Sequence, residues 1–183
     1  MRLNALKAIN FRNFKRFDFE PSPYANLIGG LNGSGKTSLI EAIYLLGFGR
    51  SFRPGGYKQL INSSESDFTV FCEAMSDTDE VFKIGLRRTS EGEVQLRLNG
   101  ETVHKLSEIA RFIPVQLFTP ESVELILGGP SLRRQFMDWG VFHVEHTFYE
   151  LWVAYTKSLK QRNFLLRSKG DVRQDSFWRT QLA

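Results

Sequence analysis

Residues 25–47 read Ala-Asn-Leu-Ile-Gly-Gly-Leu-Asn-Gly-Ser-Gly-Lys-Thr-Ser-Leu-Ile-Glu-Ala-Ile-Tyr-Leu-Leu-Gly. Inside this stretch G-x-x-x-x-G-K-T runs from Gly30 to Thr37, the pattern of a phosphate-binding loop. Leu27 and Ile28 predict the end of a buried strand. Gly29, Gly30, Gly33 and Gly35 admit turns that a Cβ would block. Such turns aim successive N–H groups into a concavity that fits phosphate oxygens. The candidate nucleotide contacts are Gly30, Leu31, Asn32, Gly33, Ser34, Gly35, Lys36, Thr37 and Ser38. Lys36 is long enough to reach β- and γ-phosphates, and the Thr37 hydroxyl is a Mg²⁺ ligand of the expected kind. Ser38 to Leu46 predicts a helix whose N-terminus places partial positive charge under the phosphates. A glycine-rich turn can match eight letters by chance. Here strand, loop and helix follow in the order the chemistry needs, so ATP and Mg²⁺ are the expected ligands.

The chain has 183 residues, 42% of them hydrophobic and 24% charged. That suits one globular domain, or one and part of another. Cys72 is the single cysteine, so no internal disulfide can form, which fits a reducing compartment. The first ten residues lack the apolar stretch of a signal peptide, and no apolar run reaches membrane-span length. A cytoplasmic protein is expected. The formal net charge is +4. Residues 1–130 hold fifteen basic and fifteen acidic residues, so the whole excess lies in residues 131–183. A surface for nucleic acid would concentrate charge in this way. A solvated helix face gives the same count, and charge alone favours that reading.

Outward from the loop, Arg2 to Ile9 alternates as a half-buried strand does, and Phe17-Asp18-Phe19 resumes the alternation after an Asn-rich break. Phe11 to Phe17 interleaves bases with phenylalanines, a pattern shared by nucleic-acid platforms and by ordinary half-buried strands. Strands before the loop suggest an α/β core with an antiparallel part. Gly47 and Gly49 are candidate helix C-caps, and Arg50 and Arg53 follow in a loop from which they could reach phosphates. Residues 67–103 predict an antiparallel meander inserted after the helix, with Asn99-Gly100 as its clearest hairpin turn. Leu106 to Phe112 predicts a short helix and Val115 to Phe118 a brief strand. Gly128-Gly129-Pro130 is the clearest break and the expected domain boundary, separating 1–127 from 131–183. Ser131 is the expected N-cap of a helix Leu132 to Trp139. A longer helix is expected from about His146 towards Lys169, with Phe148, Leu151, Trp152, Tyr155, Leu159 and Leu166 as its apolar stripe. Gly170-Asp171 should end it, and Asp175 or Ser176 should cap a further helix beginning Phe177-Trp178. The chain closes at Gln181-Leu182-Ala183 without a stop signal, as a fragment would.

Some chemistry is not written in the sequence. His143-Val144-Glu145-His146 matches neither common zinc spacing and reads as a surface cluster at a helix start. No second acidic motif for Mg²⁺ stands at the end of an apolar strand. Glu73 is the nearest candidate, and it falls mid-strand in the meander. No catalytic residue is assigned.

Phe11-Arg12-Asn13-Phe14, the loop from Gly30 to Ser38, Glu41-Ala42-Ile43-Tyr44 and Gly49-Arg50-Ser51-Phe52-Arg53 together resemble the N-terminal half of the RecF family of recombination-mediator ATPases. Gln116-Leu117-Phe118-Thr119-Pro120-Glu121, Gly128 to Gly140 and Lys160-Gln161-Arg162-Asn163 extend the resemblance over nearly the whole chain. The family is related to the Rad50 and SMC heads of the ABC ATPase class. The resemblance implies an α/β P-loop NTPase of ABC-ATPase-head type. Its first lobe would hold a mixed sheet with the antiparallel insertion, and a helical second lobe would begin after residue 131. It further implies that Gln116 is the loop glutamine that senses Mg²⁺ and the γ-phosphate, and that Arg12 approaches the nucleotide. The family's signature motif and acidic strand lie further along and do not stand in this sequence.

By this resemblance the chain is the ATP-binding portion of a DNA repair protein. ATP-bound heads of the family dimerise on DNA at gaps or single-strand/duplex junctions and assist recombinase loading with RecO and RecR partners. Arg133, Arg134, Lys157 and Lys160 are the candidate DNA contacts. This chain alone is expected to bind ATP without appreciable hydrolysis. The competing reading is a small P-loop kinase acting on a metabolite, which would need a lid carrying catalytic arginines. Arg50, Arg53, Arg133 and Arg134 are available for that role, but a strand-rich insertion is unlike a helical lid.

Overall fold

The computed structural model describes residues 1–145, 147–167, 177–178 and 180. The chain divides into two compact units, Met1–Thr119 and Pro120–Ala183.

The first unit is built on one six-stranded sheet. Its strands are β1 (Arg2–Phe11), β2 (Phe14–Phe19), β3 (Asp67–Met75), β4 (Val81–Thr89), β5 (Val94–Leu98) and β6 (Glu101–Val103). Their spatial order is β2-β1-β3-β4-β5-β6, with every ladder antiparallel. The predicted antiparallel meander follows α1 in the chain as β3–β6, and β3 joins it to the first strands by pairing with β1 along Arg2–Ile9. Period-two burial sets the register. Phe68, Val70, Cys72 and Ala74 of β3 and Phe82, Ile84 and Leu86 of β4 point to one face. Asn99 and Gly100 both have positive φ, 52° and 90°, as a tight hairpin turn requires.

Helix α1 (Lys36–Phe48) and helix α2 (Leu106–Ala110) cover that face. Leu6, Phe11, Phe68, Val70 and Ile84 of the sheet share the core with Ala42, Leu45 and Leu46 of α1 and Ile109 of α2. Burying Leu45 or Leu46 contributes roughly 1.5–3 kcal/mol each. The α1 terminus is the C-cap Gly49, whose N–H bonds the Leu45 carbonyl at 2.7 Å. Gly47, the other candidate cap, lies inside the helix.

Two strand expectations fail. Asn26 to Ile28 joins no ladder, and Leu27 is fully exposed at 101%. None of the six strands lies beside it, so its apolar side chains have no sheet to enter. Val115 to Phe118 is likewise irregular, with Phe118 76% exposed.

The second unit is helical: α3 (Glu124–Leu127), α4 (Pro130–Val144) and α5 (Phe148–Arg167). Its first residue is Pro120, so the compact division falls ahead of the Gly128-Gly129-Pro130 break. Gly129 is the N-cap of α4 and Pro130 its first residue, displacing Ser131 from the expected capping role. The helix runs through Gly140 to Val144, five residues beyond the expected end at Trp139. The apolar stripe on α5 is helical as expected but only partly covered, with Phe148 and Leu159 half-buried. Leu151, Tyr155 and Leu166 are 66%, 50% and 54% exposed. His146 and Lys169, named as helix limits, lie outside the described residues, as do the Gly170-Asp171 break, the Asp175 and Ser176 caps and the final Gln181-Leu182-Ala183.

Candidate nucleotide cleft

A cleft of about 530 Å³ opens at the N-terminus of α1. Arg12, Asn13, Asn32, Gly33, Gly35, Lys36, Thr37, Ser38, Arg53 and Gln59 are among its lining residues. Three segments contribute: the β1–β2 turn, the loop with the first turn of α1, and the chain that follows α1.

The loop places its groups by backbone constraint. Gly35 caps α1 with φ 101°, and a Cβ there would lie 2.2 Å from Phe14 Cζ. Glycine alone fits both the left-handed backbone and the approach of the ring. No side chain caps α1, and its first turn holds no acid. The free N–H groups of that turn are then open to an anion, with the helix dipole behind them. The Lys36 ammonium donates to the carbonyls of Gly30 and Leu31, each at 2.8 Å. Asn13 Nδ2 donates to the Gly33 carbonyl at 3.3 Å, tying the β1–β2 turn to the loop. These features fit a phosphate group, and the Thr37 hydroxyl at the cleft fits a Mg²⁺ ion held beside it.

Beneath the cleft lies Glu41, fully buried at 0% exposure. Arg12 Nε and Nη2 donate to its two carboxylate oxygens at 2.8 and 2.6 Å. Arg53 Nη2 donates to Oε2 at 2.5 Å, and the Ser51 hydroxyl donates to Oε1. Burial pushes the Glu41 carboxyl up. The hydrogen bonds from Arg12, Arg53 and Ser51 outweigh it and hold the carboxyl below its ordinary value. Arg12 is further fixed by a positive φ of 53° and by donation from Nη1 to the Gln59 carbonyl at 2.8 Å.

The structure gathers Asn32, Gly33, Gly35, Lys36, Thr37, Ser38 and Arg12 at one cleft, with Gly30 and Leu31 held to Lys36. Gln116 stands apart, exposed on the irregular segment after α2 and not among the lining residues. Among the candidate DNA contacts, Arg133 is engaged within its own unit. Its Nη1 donates to the carbonyls of Gly128 at 3.0 Å and Ile126 at 3.4 Å. Arg134, Lys157 and Lys160 are exposed. Glu41 was missed as a site residue. The available signal was a lone acid among the apolar positions of Leu39 to Leu46, because a buried carboxylate needs partners.

Residues 2–164 match the model of the RecF/RecN/SMC N-terminal domain. The chain belongs to that family. It is 58% identical over its whole length to the DNA replication and repair protein RecF of Idiomarina loihiensis, covering 50% of that relative. It is 46% identical to RecF of Shewanella frigidimarina, again over all of this chain and 50% of the relative. A solved structure of the recombination mediator protein RecF with ATP superposes with a TM-score of 0.82 at 31% identity. That superposition covers 99% of this chain and 50% of the other. The chain thus spans about half the length of the relatives it matches. Its fold is that of the P-loop ATPase head, as the sequence led us to expect. Among the described residues, no helix is long and apolar enough to cross a membrane.

Proposed function

We propose that this chain is the ATP-binding portion of a RecF-like DNA repair protein. Residues 1–127 would serve as the nucleotide lobe and residues 131–183 as the start of the helical lobe. The carrying observation is the uncapped, acid-free N-terminus of α1 behind a loop whose lysine is already turned onto the Gly30 and Leu31 carbonyls. The α1 amides and Lys36 hold the phosphates, and Thr37 holds Mg²⁺. The metal, when bound, supplies charge neutralisation on the phosphate oxygens. Gln116 joins the metal's surroundings in the family's manner. The whole protein would dimerise with ATP and engage DNA at gaps or single-strand/duplex junctions. It would work with RecO- and RecR-type partners in the cytoplasm, a setting that suits the buried Cys72 thiol. A metabolite kinase is disfavoured by β3–β6, which are strand where such an enzyme would carry a helical lid.

Calorimetric titration with ATP·Mg²⁺ tests the reading. Saturable binding to the wild-type chain, lost or strongly weakened in Lys36→Ala, is the expected result. Equal affinity in the two proteins would overturn it.

A further inference from the structure

The cleft presents two guanidiniums, and neither belongs to the phosphate loop. Arg12 comes from the β1–β2 turn and Arg53 from the chain after α1. A long arginine side chain on an irregular segment has many rotamers, and fixing it carries an entropy cost. Among the described residues, the Glu41 carboxylate is the group that hydrogen-bonds both guanidiniums. We propose that Glu41 is the positioning residue of this cleft. From inside α1, where it touches no ligand, it holds Arg53 in the orientation that receives nucleotide phosphates, with Arg12 as the second anchor of the clamp. The inference rests on the nucleotide reading above and assigns this role to a residue below the cleft.

Four features carry it. Glu41 lies three residues after Ser38 and four after Thr37, so it shares their helix face one turn deeper. It is completely buried, which removes solvent as a competing partner. Its two oxygens are divided between the segments: Oε1 accepts from Arg12 Nη2 and Ser51, and Oε2 accepts from Arg12 Nε and Arg53. The clamp also continues towards the loop. Arg53 Nη2 lies 3.4 Å from Ser38 Oγ, and the Arg53 backbone N–H donates to Ser51 Oγ at 2.8 Å. Charge-assisted bonds of this geometry are the strong class, and bidentate ones fix orientation as well as distance. Arg53 remains 35% exposed on its side chain, against 16% for Arg12. Arg53 is therefore the member that faces the ligand, and Arg12 is the one that anchors the turn.

A test must separate positioning from charge. Glu41→Gln would add a net positive charge next to the phosphates and confound the two. Glu41→Asp keeps the charge and withdraws the carboxylate by one methylene, so it cannot span both arginines. The experiment titrates the 183-residue chain with ATP·Mg²⁺ as wild type, Glu41→Asp, Arg53→Ala and the double variant. The expected result is an affinity about tenfold lower in Glu41→Asp, with the double variant no weaker than Arg53→Ala alone. Wild-type affinity in Glu41→Asp, or losses that multiply in the double variant, would overturn the proposal and leave the nucleotide reading standing. A wild-type chain that binds no ATP·Mg²⁺ would overturn both. If circular dichroism shows Glu41→Asp to be unfolded, Ser51→Ala decides. It removes one bond to Glu41 and one to the Arg53 backbone. A severalfold loss of affinity in a folded Ser51→Ala supports the proposal, and unchanged affinity overturns it.

Discussion

The ammonium of Lys36 donates to the carbonyl of Gly30 at 2.8 Å, across the width of the phosphate loop. The side chain thereby lies folded over the loop, with its ammonium at the cleft where a phosphate would sit. Lys36→Ala removes a charge-assisted contact to phosphate worth roughly 1.5–3 kcal/mol. The expected loss of ATP·Mg²⁺ affinity is about ten- to a hundredfold. Lys36 supplies no core surface, so the urea midpoint should move little. Titration and denaturation on the same two proteins check both halves.

Gly35 and Gly33 both have positive φ, 101° and 82°, but only Gly35 is crowded. A Cβ at Gly35 meets the Phe14 ring at 2.2 Å, whereas a Cβ at Gly33 meets nothing within 4 Å. Gly33→Ala should therefore cost only the backbone strain, about 1–2 kcal/mol. Gly35→Ala adds displacement of Phe14 from its edge contact with Phe17 and should cost clearly more. It should also lose nucleotide binding, because the N-cap of α1 shifts. Chemical denaturation should rank Gly35→Ala as the less stable variant.

The Glu41 carboxyl gives stability a pH dependence. Its folded pKa lies below the ordinary carboxylate value, so the unfolded chain binds its proton first as pH falls. Stability therefore rises with pH through this window. The contribution is fully present above the ordinary carboxylate range near 4.5 and is lost as pH drops through the lower folded value. Glu41→Gln should be less stable than wild type at pH 7, and the gap should narrow as the solution is acidified below pH 4. A gap that stays constant across that range would remove Glu41 from the linkage.

How far the sequence reaches is clear at particular residues. The loop from Gly30 to Thr37, the Asn99-Gly100 hairpin and the alternation of β3 and β4 were legible because each depends on local backbone geometry or on a single buried face. Leu27-Ile28 was misread because apolarity predicts a strand only when a neighbouring strand is present, and that neighbour is a long-range fact. The helix expected to end at Trp139 passes through Gly140 to Val144, because glycine in a helix interior costs only about 1 kcal/mol. The Glu41 hub was not legible in full. Its partners Arg12 and Arg53 stand 29 and 12 residues away, and the pairing depends on how the sheet brings the β1–β2 turn over α1.

The second unit offers a discriminating test for DNA. Arg133 is bonded to the carbonyls at the end of α3, so Arg133→Glu should unsettle α3 and α4 before it affects a ligand. Arg134, Lys157 and Lys160 are exposed. If they contact phosphates, Arg134→Glu, Lys157→Glu and Lys160→Glu together should weaken DNA binding. The slope of log affinity against log salt should flatten by about two to three. An unchanged slope returns the three to a solvated helix face.

The cleft offers ATP a place to bind but little to make it react. Among its described lining residues, from Arg12 to Ser63, there is no carboxylate. Glu41, the nearest buried acid, is committed to Arg12, Arg53 and Ser51. Glu73 stands opposite Lys83 on the β3–β4 ladder, on the face of the sheet turned away from the core. Phosphoryl transfer to water requires a positioned nucleophile as well as charge neutralisation. In the proposed reading, Lys36, Thr37 and the α1 amides would address only the second need. Under single-turnover conditions with protein in excess, bound ATP should therefore persist, with hydrolysis near the uncatalysed rate. A steady turnover abolished by Lys36→Ala would show that an acid reaches the cleft on ligand binding, and substitution of Glu41, Glu73 and Glu121 in turn would identify it.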